Sequence, residues 1–132
     1  MTIDRAHVQD WLHRYVAAWK SYDPAEITAL FSADAEYRYH PWDEPVRGRE
    51  AIVADWLAPN GNESGRDDAG TYDASYTAWA VDGDRAVAVG TSDYYTDGSK
   101  TTRERRYHNT YLLEFDADGR CRSFTENYQL ER

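Results

Sequence analysis

Glu126 is the side chain whose type and setting offer the most chemistry. It stands in the run Phe124-Thr125-Glu126-Asn127-Tyr128, where strand alternation puts Phe124, Glu126 and Tyr128 on one face. The preceding run pairs with it across a turn at Asp116 to Gly119. That pairing sets Tyr111 opposite Phe124, Asn109 opposite Glu126 and Tyr107 opposite Tyr128, with Arg105 two residues further along the same face. This face is aromatic with a few polar groups set into it, and it is taken as the concave one. The other face carries His108, Thr110, Leu112, Glu114, Ser123, Thr125 and Asn127, a mixture suited to solvent or to the sheet of a second subunit. A carboxylate among rings in a half-buried cavity has its pKa raised by desolvation unless Arg105 or donated hydrogen bonds compensate. Glu126 is therefore the first candidate for a general acid or base. The plainer reading of the same residue is a satisfied internal pair with Asn109 or Arg105.

His40 is the second candidate, because an imidazole titrates at about 6.5 and this one precedes a strand-ending proline, Pro41. His7 and His13 fall on the polar side of a helix and His108 on the mixed sheet face. No His-x-x-x-His or similar spacing is present, so no metal site is expected. The sequence also lacks a Gly-x-Ser-x-Gly elbow, a glycine-rich phosphate cradle and a dinucleotide fingerprint, and no cofactor is expected. What remains is an aromatic cavity with few convergent polar groups, the usual site for a small apolar or aromatic molecule. Its expected binding residues are Tyr15, Trp19, Tyr39, Trp56, Arg105, Tyr107, Asn109, Tyr111, Phe124 and Tyr128, around the catalytic candidates Glu126 and His40. Either Tyr37 and Tyr39 or Arg38 and His40 face the cavity, because one residue of register exchanges the two sets.

The elements that must position these groups are legible from periodicity. Val8, Trp11, Leu12, Tyr15, Val16 and Trp19 recur at spacings of three and four, which predicts an amphipathic helix over roughly residues 4 to 21. Asp23-Pro24 supplies a cap and a first-turn proline for a short second helix with Ile27, Leu30 and Phe31 as its apolar stripe. Glu36 to His40 reads as a short strand, and Ile52, Val53, Trp56 and Leu57 after Gly48 as a third helix of about ten residues. Pro59 to Gly70 is polar and glycine-rich and reads as a mobile loop able to cover the cavity entrance. Asp82-Gly83, Asp97-Gly98 and Asp118-Gly119 then separate four strands at 72 to 81, 85 to 96, 103 to 115 and 121 to 130.

The 132 residues suit one domain, 1–132, with a single core. A net charge of -9 works against nucleic acid and anionic membranes, both of which are bound by summed Lys and Arg contacts. Cys121 is the single cysteine, and no run of 18 apolar residues or charged leader is seen, so a cytoplasmic protein is expected.

Several of these segments together resemble the SnoaL-like branch of the nuclear-transport-factor-2-like (NTF2-like) superfamily. They are Tyr22-Asp23 at the end of the first helix, Leu30-Phe31-Ser32-Ala33-Asp34-Ala35, His40-Pro41 followed by Val46-Arg47-Gly48-Arg49-Glu50-Ala51-Ile52, Asp118-Gly119-Arg120, and Glu126-Asn127-Tyr128. The resemblance implies an α+β cone, in which three N-terminal helices pack on a strongly curved antiparallel or mixed β-sheet that encloses a pocket. It also implies a homodimer through the sheet face. The superfamily holds isomerases, cyclases, dehydratases and noncatalytic binders, so fold does not choose the reaction. Against its ketosteroid isomerases, Tyr15 matches the helix tyrosine that supports the oxyanion, His40 falls near the base, and Tyr111 stands where they carry a second aspartate. The expectation is a cofactor-independent isomerase, cyclase or dehydratase, with a ligand carrier, sensor or protein-interaction module as the alternative.

Overall fold

Asp4 starts the first helix by accepting a hydrogen bond from the His7 amide at 2.8 Å, and α1 runs Arg5–Ser21 in the computed structural model of the chain. The model describes residues 3–59 and 66–132; residues 60–65, the centre of the expected loop from Pro59 to Gly70, lie outside the described residues. Tyr22 ends α1 in the left-handed region at φ 50°, and Asp23 caps α2 (Pro24–Leu30) by accepting from the Ala25 amide at 2.9 Å. The short second helix stops one residue earlier than its apolar stripe suggests. Phe31 is already extended and opens β1 (Phe31–Arg38), five residues ahead of the strand expected from Glu36. Pairing with Cys121 on the last strand overrides the local preference of a stretch that has little alternation of its own.

A two-residue strand that the sequence did not suggest, β2 (Val46–Arg47), pairs antiparallel with β1 through Tyr37 and Val46. Then α3 (Arg49–Trp56) is followed by β3 (Tyr72–Asp82), β4 (Arg85–Tyr95), β5 (Arg103–Phe115) and β6 (Cys121–Leu130), all four strands within a residue of expectation. The six strands form one sheet in the order β2-β1-β6-β5-β4-β3. β1 runs parallel to β6 and every other neighbour is antiparallel, so the sheet is mixed. The helices lie against the inner face, and one buried cluster joins them to it. Trp11 is its centre: fully buried, it packs on Phe31, Phe115 and Phe124, and its indole N–H donates to the Leu30 carbonyl at 2.9 Å. Cys121 is buried beneath, where desolvation pushes its thiol well above the ordinary range. No helix among the described residues is long and apolar enough to cross a membrane.

The β5–β6 register departs from expectation by two residues. Tyr111 stands opposite Glu126, Asn109 opposite Tyr128, Tyr107 opposite Leu130 and Leu113 opposite Phe124. Two one-residue changes add up to this. The hairpin closes between Asp116 and Arg120, where the Asp116 carboxylate accepts from the amides of Asp118 and Arg120, and this makes the loop one residue longer than the Asp116 to Gly119 turn. A bulge between Glu114 and Phe115 and their partners Ser123 and Cys121 adds the second. An even displacement keeps every side chain on its face. The expected concave face is therefore the observed one, with its partners slid along it.

Gly90 sits mid-strand between Tyr76 on β3 and Asn109 on β5. A Cβ there would collide with the Ser75 carbonyl oxygen and come within 2.8 Å of the Tyr76 Cα. The absent side chain lets β3 close over β4 at the cavity wall. Replacing Gly90 by Ala is expected to lower stability by about 2 kcal/mol, the usual scale of overpacking. A urea unfolding midpoint equal to wild type would show that the sheet has slack at this position.

Candidate functional site

A cavity of about 360 Å³ lies between α1, α3 and the concave face of the sheet. Ten of the twelve expected site residues line it: Glu126, Tyr15, Trp19, Tyr39, Trp56, Arg105, Tyr107, Asn109, Tyr111 and Tyr128. Phe124 does not. Its ring is fully buried behind the wall, sandwiched between Tyr37 at 4.7 Å and Tyr15 at 5.0 Å. His40 stands outside the lining as well. Its Nδ1 pairs with Asp43 Oδ2 at 2.9 Å, its Nε2 meets the Tyr128 hydroxyl at 2.9 Å, and Trp42 stacks on it at 4.8 Å. His40 thus borders the cavity through Tyr128. The open question of strand facing resolves to Tyr37 and Tyr39, both in the wall.

Five lining residues were not anticipated: Tyr22, Asp67, Tyr76, Ser92 and Tyr94. Ser92 and Tyr94 are the direct partners of Tyr107 and Arg105, and Tyr76 pairs with Gly90, so extending the face assignment one and two strands outward would have found them. Asp67 carried no such signal. It lies in the polar segment after α3, where its carboxylate accepts from the Trp19 indole at 3.0 Å and its amide donates to the Tyr22 hydroxyl at 2.8 Å.

Two chains of hydroxyl groups cross the wall. In the first, the Tyr37 hydroxyl donates to Glu126 Oε2 at 2.6 Å. Its proton is therefore committed, and the Tyr15 hydroxyl, 2.9 Å away, is the donor to Tyr37. In the second, Tyr111 donates to Tyr76 at 3.0 Å, Tyr76 and Ser92 share a bond of 2.5 Å, and Ser92 donates to Asn109 Oδ1 at 2.9 Å. Among the described residues every fully buried side-chain nitrogen or oxygen has a partner. Asn109 is buried and its Nδ2 makes no hydrogen bond among the described residues, so that amide can donate to a bound molecule in the cavity it lines.

The electrostatics follow from this enclosure. Burial pushes the hydroxyls of Tyr15, Tyr37 and Tyr111 well above the usual tyrosine range, and the Glu126 charge raises all three further. Burial likewise raises Tyr39, whose hydroxyl donates to Asp55 Oδ2 at 2.6 Å, and also Tyr22, Tyr72, Tyr76 and Tyr94. Desolvation raises the Asp67 carboxyl, with the Trp19 N–H and the Arg105 charge acting against it. The Arg105 guanidinium lies 4.1 Å from the Tyr94 ring centre and bonds to Glu104. No group of three or more His, Cys, Asp or Glu side chains among the described residues is arranged to hold a metal ion.

Comparison with known proteins agrees with this architecture. The model of the family described as the SnoaL-like domain matches residues 12–124. No curated protein matches the sequence. Among solved structures, a protein from Kribbella flavida provisionally named a ketosteroid isomerase superposes with a TM-score of 0.64 at 19% identity, covering 100% of this chain and 84% of that one. A protein from Sinorhizobium meliloti provisionally named a polyketide cyclase gives 0.63 at 22% identity, with 95% and 100% covered. A third, from Methylobium petroleophilum and described by its cystatin-like fold, gives 0.64 at 18% identity over 100% and 82%. Likeness at these identities shows the shared fold.

The buried phenols make alkaline stability predictable. Their folded pKa values lie above the unfolded value of about 10, so past that pH the unfolded chain binds fewer protons than the folded one. Stability is complete below a pH of about 10 and falls steeply as pH rises beyond it. Tyrosinate absorbance is expected in one step with the loss of circular dichroism. Gradual ionisation of all eleven tyrosines with the fold intact would contradict the burial described above.

Proposed function

Because the chain belongs to the SnoaL-like domain family, we propose that it binds a small apolar or aromatic molecule in the aromatic cavity and moves a proton on it with Glu126. One observation carries the reading. Glu126 lies in the cavity wall with one oxygen held by Tyr37, which Tyr15 in turn supports, so the carboxylate has a set position among rings. A positioned carboxylate in a partly desolvated site suits a general base. The Asn109 amide supplies the hydrogen bond that negative charge developing on the substrate needs. His40, paired with Asp43, acts through the Tyr128 hydroxyl. The names of two neighbours, an isomerase and a cyclase, are consistent with cofactor-independent proton transfer.

A second copy of the chain is part of this reading. Leu112 and Trp79 are 48% and 66% exposed on the outer part of the sheet, where another copy can cover them. Leu112→Asp is expected to convert a dimer to a monomer in sedimentation. A wild-type chain that sediments as a monomer would remove the dimer from the proposal.

A nitro-substituted benzisoxazole tests the base directly. Removal of its ring C–H proton breaks the N–O bond and releases a coloured phenolate nitrile, so no further reactant is needed. The protein is expected to accelerate this reaction, and Glu126→Gln to slow it by about 100-fold. If the variant binds the probe and turns it over at the wild-type rate, Glu126 is not the base. If wild type binds the probe without turnover, the cavity is a carrier site.

A further inference from the structure

The two ends of the cavity differ in what they can offer a bound molecule. Near Glu126 the hydroxyls of Tyr15, Tyr37, Tyr76 and Tyr111 are bonded to one another or to their neighbours inside the wall. At the other end the hydroxyls of Tyr94 and Tyr107 line the cavity with no acceptor among the described residues. Pairing of β4 with β5 sets Tyr94 opposite Arg105 and Ser92 opposite Tyr107, and alternation puts all four side chains on the concave face. The Tyr94 and Tyr107 rings meet edge to face at 5.8 Å, and the Arg105 guanidinium lies 4.1 Å from the first ring centre and 5.8 Å from the second. Tyr107 stands four residues along β5 from Tyr111, the partner of Glu126, or about 13 Å of strand.

A phenol with no acceptor in the wall has a proton to give. Burial keeps that proton on Tyr94, with the Arg105 charge acting against it and so making the hydroxyl the better donor. An apolar ligand would strip water from both hydroxyls and return no bond. An anion finds no net attraction either, because Arg105 bonds to Glu104, lies in the field of Asp67, and belongs to a chain of net charge -9. A carbonyl oxygen brings two lone pairs and no charge, which suits two hydroxyl donors. Resting on the pocket reading above, we infer that the bound molecule is elongated and carries an uncharged carbonyl oxygen at the end away from Glu126, where the Tyr94 and Tyr107 hydroxyls receive it. The Tyr128 ring, edge to face with that of Tyr107 at 5.4 Å, lies between the two ends and gives the body of the molecule an aromatic surface.

Three biphenyls of comparable length test this end. 4-Acetylbiphenyl ends in a carbonyl, 4-isopropenylbiphenyl replaces that oxygen by a methylene, and biphenyl-4-carboxylate replaces the ketone by an anion. A purely apolar cavity binds the alkene tighter, because the ketone must give up hydration. This cavity is expected to reverse that order in competition titrations, with the ketone bound about tenfold tighter than the alkene and tighter than the carboxylate. Tyr94→Phe and Tyr107→Phe are each expected to shrink the preference without weakening the alkene. Equal or tighter binding of the alkene to wild type would overturn the inference and leave the pocket reading standing. So would a preference kept in both variants, or tightest binding of the carboxylate. If none of the three binds but the nitro-substituted benzisoxazole does, the cavity is too short for the molecule inferred, and if that probe also fails to bind, the pocket reading falls with it.

Discussion

The Phe124 ring, held between those of Tyr15 and Tyr37 at 5.0 and 4.7 Å and nearly parallel to both, is the contact on which the site depends. Tyr15 comes from α1, Tyr37 from β1 and Phe124 from β6, so one stack fastens the longest helix to the parallel strand pair of the sheet. Stacked rings have little freedom to turn, and packing in a protein interior leaves no room to slide. The two hydroxyls are thereby brought to the same end of the stack, 2.9 Å apart, with Glu126 two residues beyond Phe124 on the same face of β6. Phe124 reaches no ligand, yet it sets the direction of the groups that do.

This placement explains how much of the site the sequence disclosed. Alternation identified the concave face of β5 and β6 because a face needs only parity, and parity survived a register error of two residues. The error came from the turn: Asp118-Gly119 marks the reversal, but neither the extra loop residue nor the bulge at Arg122 has a sequence signature of its own. Phe124 shares its face with Glu126 and was read as lining for that reason. Depth along a strand, which decides between wall and core, depends on the helices above it, and alternation is blind to that.

The first strand shows the opposite limit. Phe31 completes the apolar stripe of α2 and gives no local reason to be extended, yet β1 begins there. Its pairing with Cys121 joins residues ninety positions apart, a contact that no window of local sequence contains. Once β1 runs from Phe31, Tyr37 and Tyr39 face inward and His40 lies beyond the strand end, against Asp43 and Tyr128. The histidine was singled out for its proline neighbour and its titration range. Its observed partners give it a position next to the cavity, behind a tyrosine.

The shared fold leaves the chemistry to a few bonds. In the isomerases that the sequence resembles, the tyrosine matched by Tyr15 points its proton at a developing oxyanion. Here Glu126 accepts a hydrogen bond from the Tyr37 hydroxyl, and Tyr37 accepts one from Tyr15, so the same helix position spends its proton inside the wall. One carboxylate sets the direction of both bonds. Protonating Glu126 would let the chain reverse and Tyr15 donate into the cavity, since each hydroxyl can give one proton and accept another. A second chain, from Tyr111 through Tyr76 and Ser92 to Asn109, runs independently of Glu126, so the shared fold carries its chemistry in the direction of a few separate bonds.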